Sequence, residues 1–320
     1  MQRAVSRCLP SSRLVRPDLA VFGASTVIPS LEANHFSLQS SQTGSVEVYA
    51  QGTDETIAPA LLVHTINAAA SAYEVKPLFE GLSSDRVTWA LDLPGFGASA
   101  RTDRLYTPRL MTDAVLLVAE ALHARYGRSI DLLGVSLGCE FVARAARDRP
   151  ELFRTISLVS PTGFERRRDG EDGSTRALPA FYSLLRWSFW DRGLYENLTR
   201  PSVIRYFLER TFGSKRIDEG MLAHDVRIVR EPGARFAPQS FLGGHLFSGD
   251  ISRVYESLAL PIWVSHGVRG DFTNYRGLKA VRDRPNWKVT VFQTGALPYF
   301  ELTDAFMREL RAFLAQPQTA

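Results

Sequence analysis

Five consecutive residues, Gly134-Val135-Ser136-Leu137-Gly138, are of the types and spacing that could do chemistry. They join an apolar run, Ser129–Ser136, to a helical pattern, Leu137–Arg147. A Gly-x-Ser-x-Gly between strand and helix is a nucleophile elbow: the glycines let the chain turn sharply and leave the serine strained at the tip. The backbone N–H of Leu137 would then face any oxyanion forming beside Ser136. A serine hydroxyl is a poor nucleophile at neutral pH, so the chemistry also needs a base to take its proton and an acid to orient that base. A carboxylate stands in "SHGVRGDF" as Asp271, and six histidines are present, His35, His64, His123, His224, His245 and His266.

These residues must be positioned by a parallel sheet. Short apolar runs, Ala60–Thr65, Val87–Asp92, Ser129–Ser136, Thr155–Ser160, Pro261–Gly267 and Trp287–Thr294, read as strands. Helical patterns separate them, and continuous apolar strands spaced by helices imply a sheet covered on both faces. Thr107-Pro108 is a helix start, with a hydroxyl cap and Pro at the first helical position. The rhythm breaks from 163 to 257, a helical block rich in Phe, Trp and Tyr, and residues 1–40 carry no period and read as a poorly ordered tail. The expected class is α/β, with a core of 41–162 and 258–320 and a helical cap, 163–257, inserted after the sixth strand.

Over residues 45 to 315 the chain resembles the α/β-hydrolase family, through the elbow, through "DLPGFGAS" (Asp92–Ser99), which is similar to the loop after that family's fourth strand, and through the segment that begins "LLVHTINAAASAYEV". The last resembles the family's His-Gly oxyanion segment, with Thr65 where Gly is usual. The resemblance implies Ser136 as nucleophile and the N–H groups of Ile66 and Leu137 as the oxyanion hole. Asn67 is an alternative side-chain donor or a turn residue. The family's acid position falls on Gly270, so Asp271 would serve from one residue later. The family's histidine position reads Gly295-Ala296-Leu297-Pro298, and alanine cannot accept a proton.

Another base is therefore needed. His64 ends a strand and reads as structural, His35 precedes the domain, His123 lies on a helix facing away, and His266 sits at a strand end. His224 and His245 belong to the cap, and His245 in "FLGGHLFSGD", flanked by glycines, is the leading candidate. Tyr299 could hydrogen-bond a substrate but holds its proton too tightly to be a ready base. Cys139, one turn behind the serine, reads as core packing.

Composition excludes other classes. The net charge is +4, and Arg3, Arg7, Arg13 and Arg16 account for it, leaving 34 basic against 34 acidic residues. A neutral body lacks the clustered basic face of a nucleic-acid binder, and Arg166–Arg168 reads as a solvated loop. Cys8 and Cys139 make no disulfide case. No metal-ligand spacing or phosphate loop is present, so no cofactor is expected. The longest uncharged run, Thr56–Tyr73, is too polar to span a bilayer. The expected location is the cytoplasm, with the Arg- and Ser-rich first 17 residues faintly similar to a targeting peptide. The aromatic cap suggests a lipophilic ligand. Three functions follow: a serine-hydrolase-like enzyme acting on an ester or related acyl bond with a non-standard base, an inactive ligand-binding or scaffold member, or a lyase or isomerase using only the oxyanion hole.

Overall fold

The computed structural model of the chain describes residues 28–165, 169–270 and 274–316. Eight strands form one sheet: β1 (Asn34–Ser40), β2 (Gly44–Gln51), β3 (Ala60–Val63), β4 (Thr88–Leu91), β5 (Ile130–Val135), β6 (Phe153–Val159), β7 (Ile262–Gly267) and β8 (Trp287–Phe292), in the order β1-β2-β4-β3-β5-β6-β7-β8. β1, β2 and β4 pair antiparallel, and every pair from β4 to β8 is parallel. β3, β4 and β5 are buried along their whole length, which is why each reads as an uninterrupted apolar run.

Helices cover both faces. α1 (Lys76–Ser83), α2 (Pro108–Tyr126) and α3 (Gly138–Asp148) precede β6; α4 (Pro179–Leu185), α5 (Asp191–Leu198), α6 (Pro201–Phe212), α7 (Glu219–Ile228), α8 (Phe236–Leu242) and α9 (Ile251–Ser257) form the cap between β6 and β7; α10 (Pro298–Glu301) and α11 (Thr303–Leu314) close the chain. Alternate residues of one strand feed opposite cores: Leu61 and Val63 pack with Val115 and Phe141, whereas Ala60 and Leu62 pack with Leu78 and Phe306. The hydroxyl of Thr107 accepts from Leu110 N–H at 3.3 Å, the helix cap its sequence implies.

One boundary is corrected. Residues 34–40, expected in the tail, form β1, paired along its length with β2 in an antiparallel hairpin. His35 is accordingly part of the sheet, its Nδ1 2.6 Å from Glu47 Oε1. The first 27 residues, including Cys8, the run Arg166–Arg168, and Asp271 lie outside the described residues.

The chain order places the chemistry. β3 is followed by β4 on one side and β5 on the other, so connections diverge between β3 and β5, the point where parallel α/β sheets form a crevice at their carboxyl ends. The oxyanion-like segment leaves β3 and the Ser136 turn leaves β5, side by side.

Candidate functional site

Ser136 has φ 51°, left-handed backbone that a non-glycine residue adopts at about 1–3 kcal/mol. Its N–H donates to Val159 O at 2.8 Å and its carbonyl accepts from Cys139 N–H at 3.1 Å, so β6 and α3 together hold the strain. The flanking glycines are required. A Cβ on Gly134 would lie 2.8 Å from Val142 Cγ2, and one on Gly138 would lie 2.3 Å from the carbonyl oxygen of His64. The second approach seats the elbow directly on the end of β3. Cys139 is buried behind it with Sγ 3.1 Å from Gly134 O, a packing role, and burial raises its thiol pKa well above the ordinary value.

The segment leaving β3 is held from below. His64 is fully buried; Leu93 N–H donates to its Nε2 at 3.0 Å, so Nδ1 carries the proton toward Thr65 O at 2.5 Å. Burial lowers its pKa, and a neutral imidazole with both nitrogens engaged is structural. Asn67 donates to Glu74 Oε1 at 2.5 Å and accepts from Ala69 N–H at 2.7 Å, so its side chain serves the turn and not an oxyanion. Thr65 N–H donates to Glu74 Oε2 at 3.0 Å. Burial pushes the Glu74 carboxyl up to about 8 against these two hydrogen bonds. Asp92, in the loop after β4, accepts from Ala72 N–H at 2.7 Å and from Tyr49 Oη at 2.8 Å, tying that loop to the same segment. Neither Ile66 N–H nor Leu137 N–H donates to a protein group among the described residues.

The turn after β8 differs most from the expectation of a reactive site. Ala296 N–H donates to Thr211 O at 2.8 Å, and Ser160 Oγ donates to Ala296 O at 2.6 Å. A Cβ on Gly295 would lie 2.2 Å from Phe212 O. The last turn of α6 therefore rests on the position where the base was sought. Among the described residues, Ser160 is the other non-glycine residue with positive φ, at 48°. Tyr299, expected to be able to meet a substrate, is instead fully buried and donates to Glu74 O at 2.8 Å, because the short α10 turns it inward.

Among the described residues no imidazole hydrogen-bonds Ser136 Oγ, and Oγ has no other partner. His245 lies edge-on to Tyr182 with centroids 4.6 Å apart, its Nε2 buried without a partner; burial lowers its pKa. His266 stacks on Tyr275 at 3.9 Å. His123 stands at the exposed end of α2 with Nδ1 2.9 Å from Arg128 O. His224 stacks on Tyr73 at 5.0 Å, where α7 closes over the segment leaving β3. Its neighbour Asp225 is buried, and burial, reinforced by Glu74 and Asp218, pushes its carboxyl well above the ordinary value.

Glu140 was not singled out from sequence. It sits one turn beyond the elbow and accepts from Thr162 Oγ1 at 2.6 Å and from Ser248 N–H at 2.8 Å, linking α3 to the cap; burial raises it to about 6. A cavity of about 390 Å³, lined by Tyr206, Arg210, Lys215 and Arg269, opens beside Gly270, and Ser136 does not line it. No group of metal-ligating side chains occurs among the described residues.

A doubly covered sheet of this order, with a strained serine turn after β5 and a helical cap after β6, defines a hydrolase-type α/β fold. The chain belongs to the alpha/beta hydrolase family, matching it over residues 60–315. Solved structures share the fold. A probable hydrolytic enzyme from Pseudomonas aeruginosa is 16% identical, covers 91% of this chain and 99% of its own, and has a TM-score of 0.69. The carboxylesterase of Bacillus subtilis is 16% identical over 90% of this chain and 93% of its own, TM-score 0.67. The 2-hydroxy-6-oxo-6-phenylhexa-2,4-dienoate hydrolase of a Rhodococcus species is 16% identical over 91% and 98%, TM-score 0.65. No curated protein sequence matches.

Proposed function

We propose that the chain is a serine-hydrolase-like protein of low intrinsic turnover, acting on an ester or related acyl bond of a lipophilic small molecule. One observation carries this reading. The elbow keeps Ser136 at φ 51° while its Oγ and the N–H groups of Ile66 and Leu137 are all unengaged among the described residues. Strain of that kind persists where a reactive group is being presented. Ser136 Oγ would attack the substrate carbonyl carbon, the π electrons moving onto oxygen and being met by the two N–H groups. The C–O bond to the leaving group then breaks, the alkoxide departing as an alcohol with the proton from Ser136, relayed by His245 where that ring reaches the serine. Water hydrolyses the acyl-serine to release the acid and restore the hydroxyl. The oxyanion hole and binding alone sustain on the order of 10³-fold over water. Relatives of the fold described as a carboxylesterase and as a hydrolase of a ring-cleavage product are in keeping with acyl and C–C bond chemistry.

His245 remains the candidate base, with Asp271 as its orienting acid. Its unpartnered Nε2 supports that role, which requires the segment around Gly243 and Gly244 to turn the ring away from Tyr182. A second reading, a binding member without turnover, is favoured by the two-sided fixing of Ala296 by Thr211 and Ser160.

Labelling with a fluorophosphonate separates the readings. Stoichiometric labelling lost in Ser136→Ala supports the acyl site, and loss in His245→Ala as well assigns the base. No labelling of the unmodified protein leaves the binding reading.

A further inference from the structure

The cap carries an apolar surface that the sheet does not use. Leu178, Phe181, Leu184, Trp187, Phe189 and Leu242 are all exposed, Phe189 at 86% and Trp187 at 57%. They form one region. Leu178 N–H donates to Gly243 O at 2.8 Å, setting Leu242 beside the start of α4, and Trp190 joins Trp187 and Phe189 with centroids 4.5 and 6.2 Å away. Trp190 Nε1 donates to Leu184 O at 2.9 Å, so the turn that presents these rings is fixed. Contiguous exposed aromatics of this size mark an interaction site.

Charge says what covers it. The α4–α5 face with its flanks, residues 176–200, holds four Arg against Asp191 and Glu196, a net of +2, and two of the four are already paired, Arg176 with Glu165 and Arg186 with Asp103. Arg192 and Arg200 are exposed, with guanidiniums that have no acidic partner among the described residues. The first 27 residues, with four arginines and one aspartate, offer Arg192 and Arg200 little acidic complement, and a second copy would bring the same two unpaired guanidiniums. An anionic surface pairs them.

We infer that the α4–α5 face of the cap docks on an anionic lipid bilayer surface, with Trp187 and Phe189 entering the headgroup boundary and the cap arginines meeting lipid phosphates. Trp and Phe favour that boundary, and cationic side chains around an apolar face give peripheral attachment without a spanning helix. No described helix is long and apolar enough to cross a membrane. The inference stands apart from the Ser136 chemistry and brings the cap to a lipophilic phase whether or not the serine reacts.

The test is sedimentation of the full chain with phosphatidylcholine vesicles, with and without phosphatidylglycerol, at low and high salt. Binding should require phosphatidylglycerol, fall as salt rises, and weaken about tenfold in both Trp187→Ser/Phe189→Ser and Arg192→Ala/Arg200→Ala. These side chains are exposed, and unchanged circular dichroism checks the fold. A variant with Arg3, Arg7, Arg13 and Arg16 replaced by Ala should still bind. No pelleting with either vesicle overturns the inference. So does binding lost only in the tail variant, or a concentration-dependent dimer that disappears in Trp187→Ser.

Discussion

Ser160 Oγ donates a 2.6 Å hydrogen bond to the carbonyl of Ala296, across 136 residues of sequence. The end of β6 thus clamps the turn after β8 at the residue whose side chain would have to be the base. Because the clamp acts on the backbone, it leaves the side-chain position open to substitution. Ala296→His should raise kcat/KM for a short p-nitrophenyl ester by about 10², the usual contribution of a placed general base. Adding Ser136→Ala should abolish the gain. Equal rates in the single and double variants would show that the imidazole acts on water without the serine.

Ser160→Ala removes that clamp while keeping a Cβ at φ 48°. The loss of this partly buried hydrogen bond should lower stability by about 1 kcal/mol, read from the urea midpoint. In the Ala296→His background it should also reduce the gained activity, since the turn is no longer held. A stability loss without the activity loss would separate the two roles.

Gly138 lies against the end of β3 so closely that a Cβ would sit 2.3 Å from the His64 carbonyl oxygen. That neighbour is backbone and cannot rotate away. Gly138→Ala should cost about 1–3 kcal/mol, the usual range for overpacking, and should abolish fluorophosphonate labelling by displacing the Leu137 amide. A melting temperature equal to that of the unmodified protein would contradict the close approach.

Glu74 should contribute a fall in stability as pH rises from about 4.5 to 8, because burial lifts it from its ordinary 4.5 to about 8. In this window the unfolded chain has released the proton and the folded chain retains it, so the folded state binds more protons and loses stability with rising pH. One such group gives at most about 1.4 kcal/mol per pH unit. Glu140, raised to about 6, adds to the slope only in the lower part of the window. His64, His224, His245 and His266, lowered by burial, oppose that fall below about 6.5, so the Glu74 slope is clearest above it. Glu74→Gln should flatten the profile between pH 6 and 8, measured by urea denaturation, and an unchanged slope would assign it elsewhere.

Sequence was informative where periodicity and local geometry coincide. β3, β4 and β5 carry apolar runs because both of their faces are buried, whereas the edge strand β8 is half-exposed, and the elbow is legible because its glycines are demanded by neighbours within the motif and by His64. β1 and β2 were missed for a physical reason: β1 is a half-exposed edge strand, NHFSLQS, whose mixed residues give no run and whose partner lies in the adjacent strand. Tyr299 was misread because nothing local shows that α10 turns its ring inward toward Glu74. The clamp between Ser160 and Ala296, and the fixing of Asn67 by Glu74, depend on folding and leave no mark in spacing. Several cap aromatics, read from sequence as packing or as a ligand lining, instead face solvent.

Ala296 and Gly295 lean on the final turn of α6, and Gly213, just beyond it, leaves only 2.6 Å between a Cβ and Arg269 Cβ. This corner of the cap is thus held to the sheet by main chain and not by side chains alone: lifting it would break the Ala296–Thr211 hydrogen bond and disturb both turns at once.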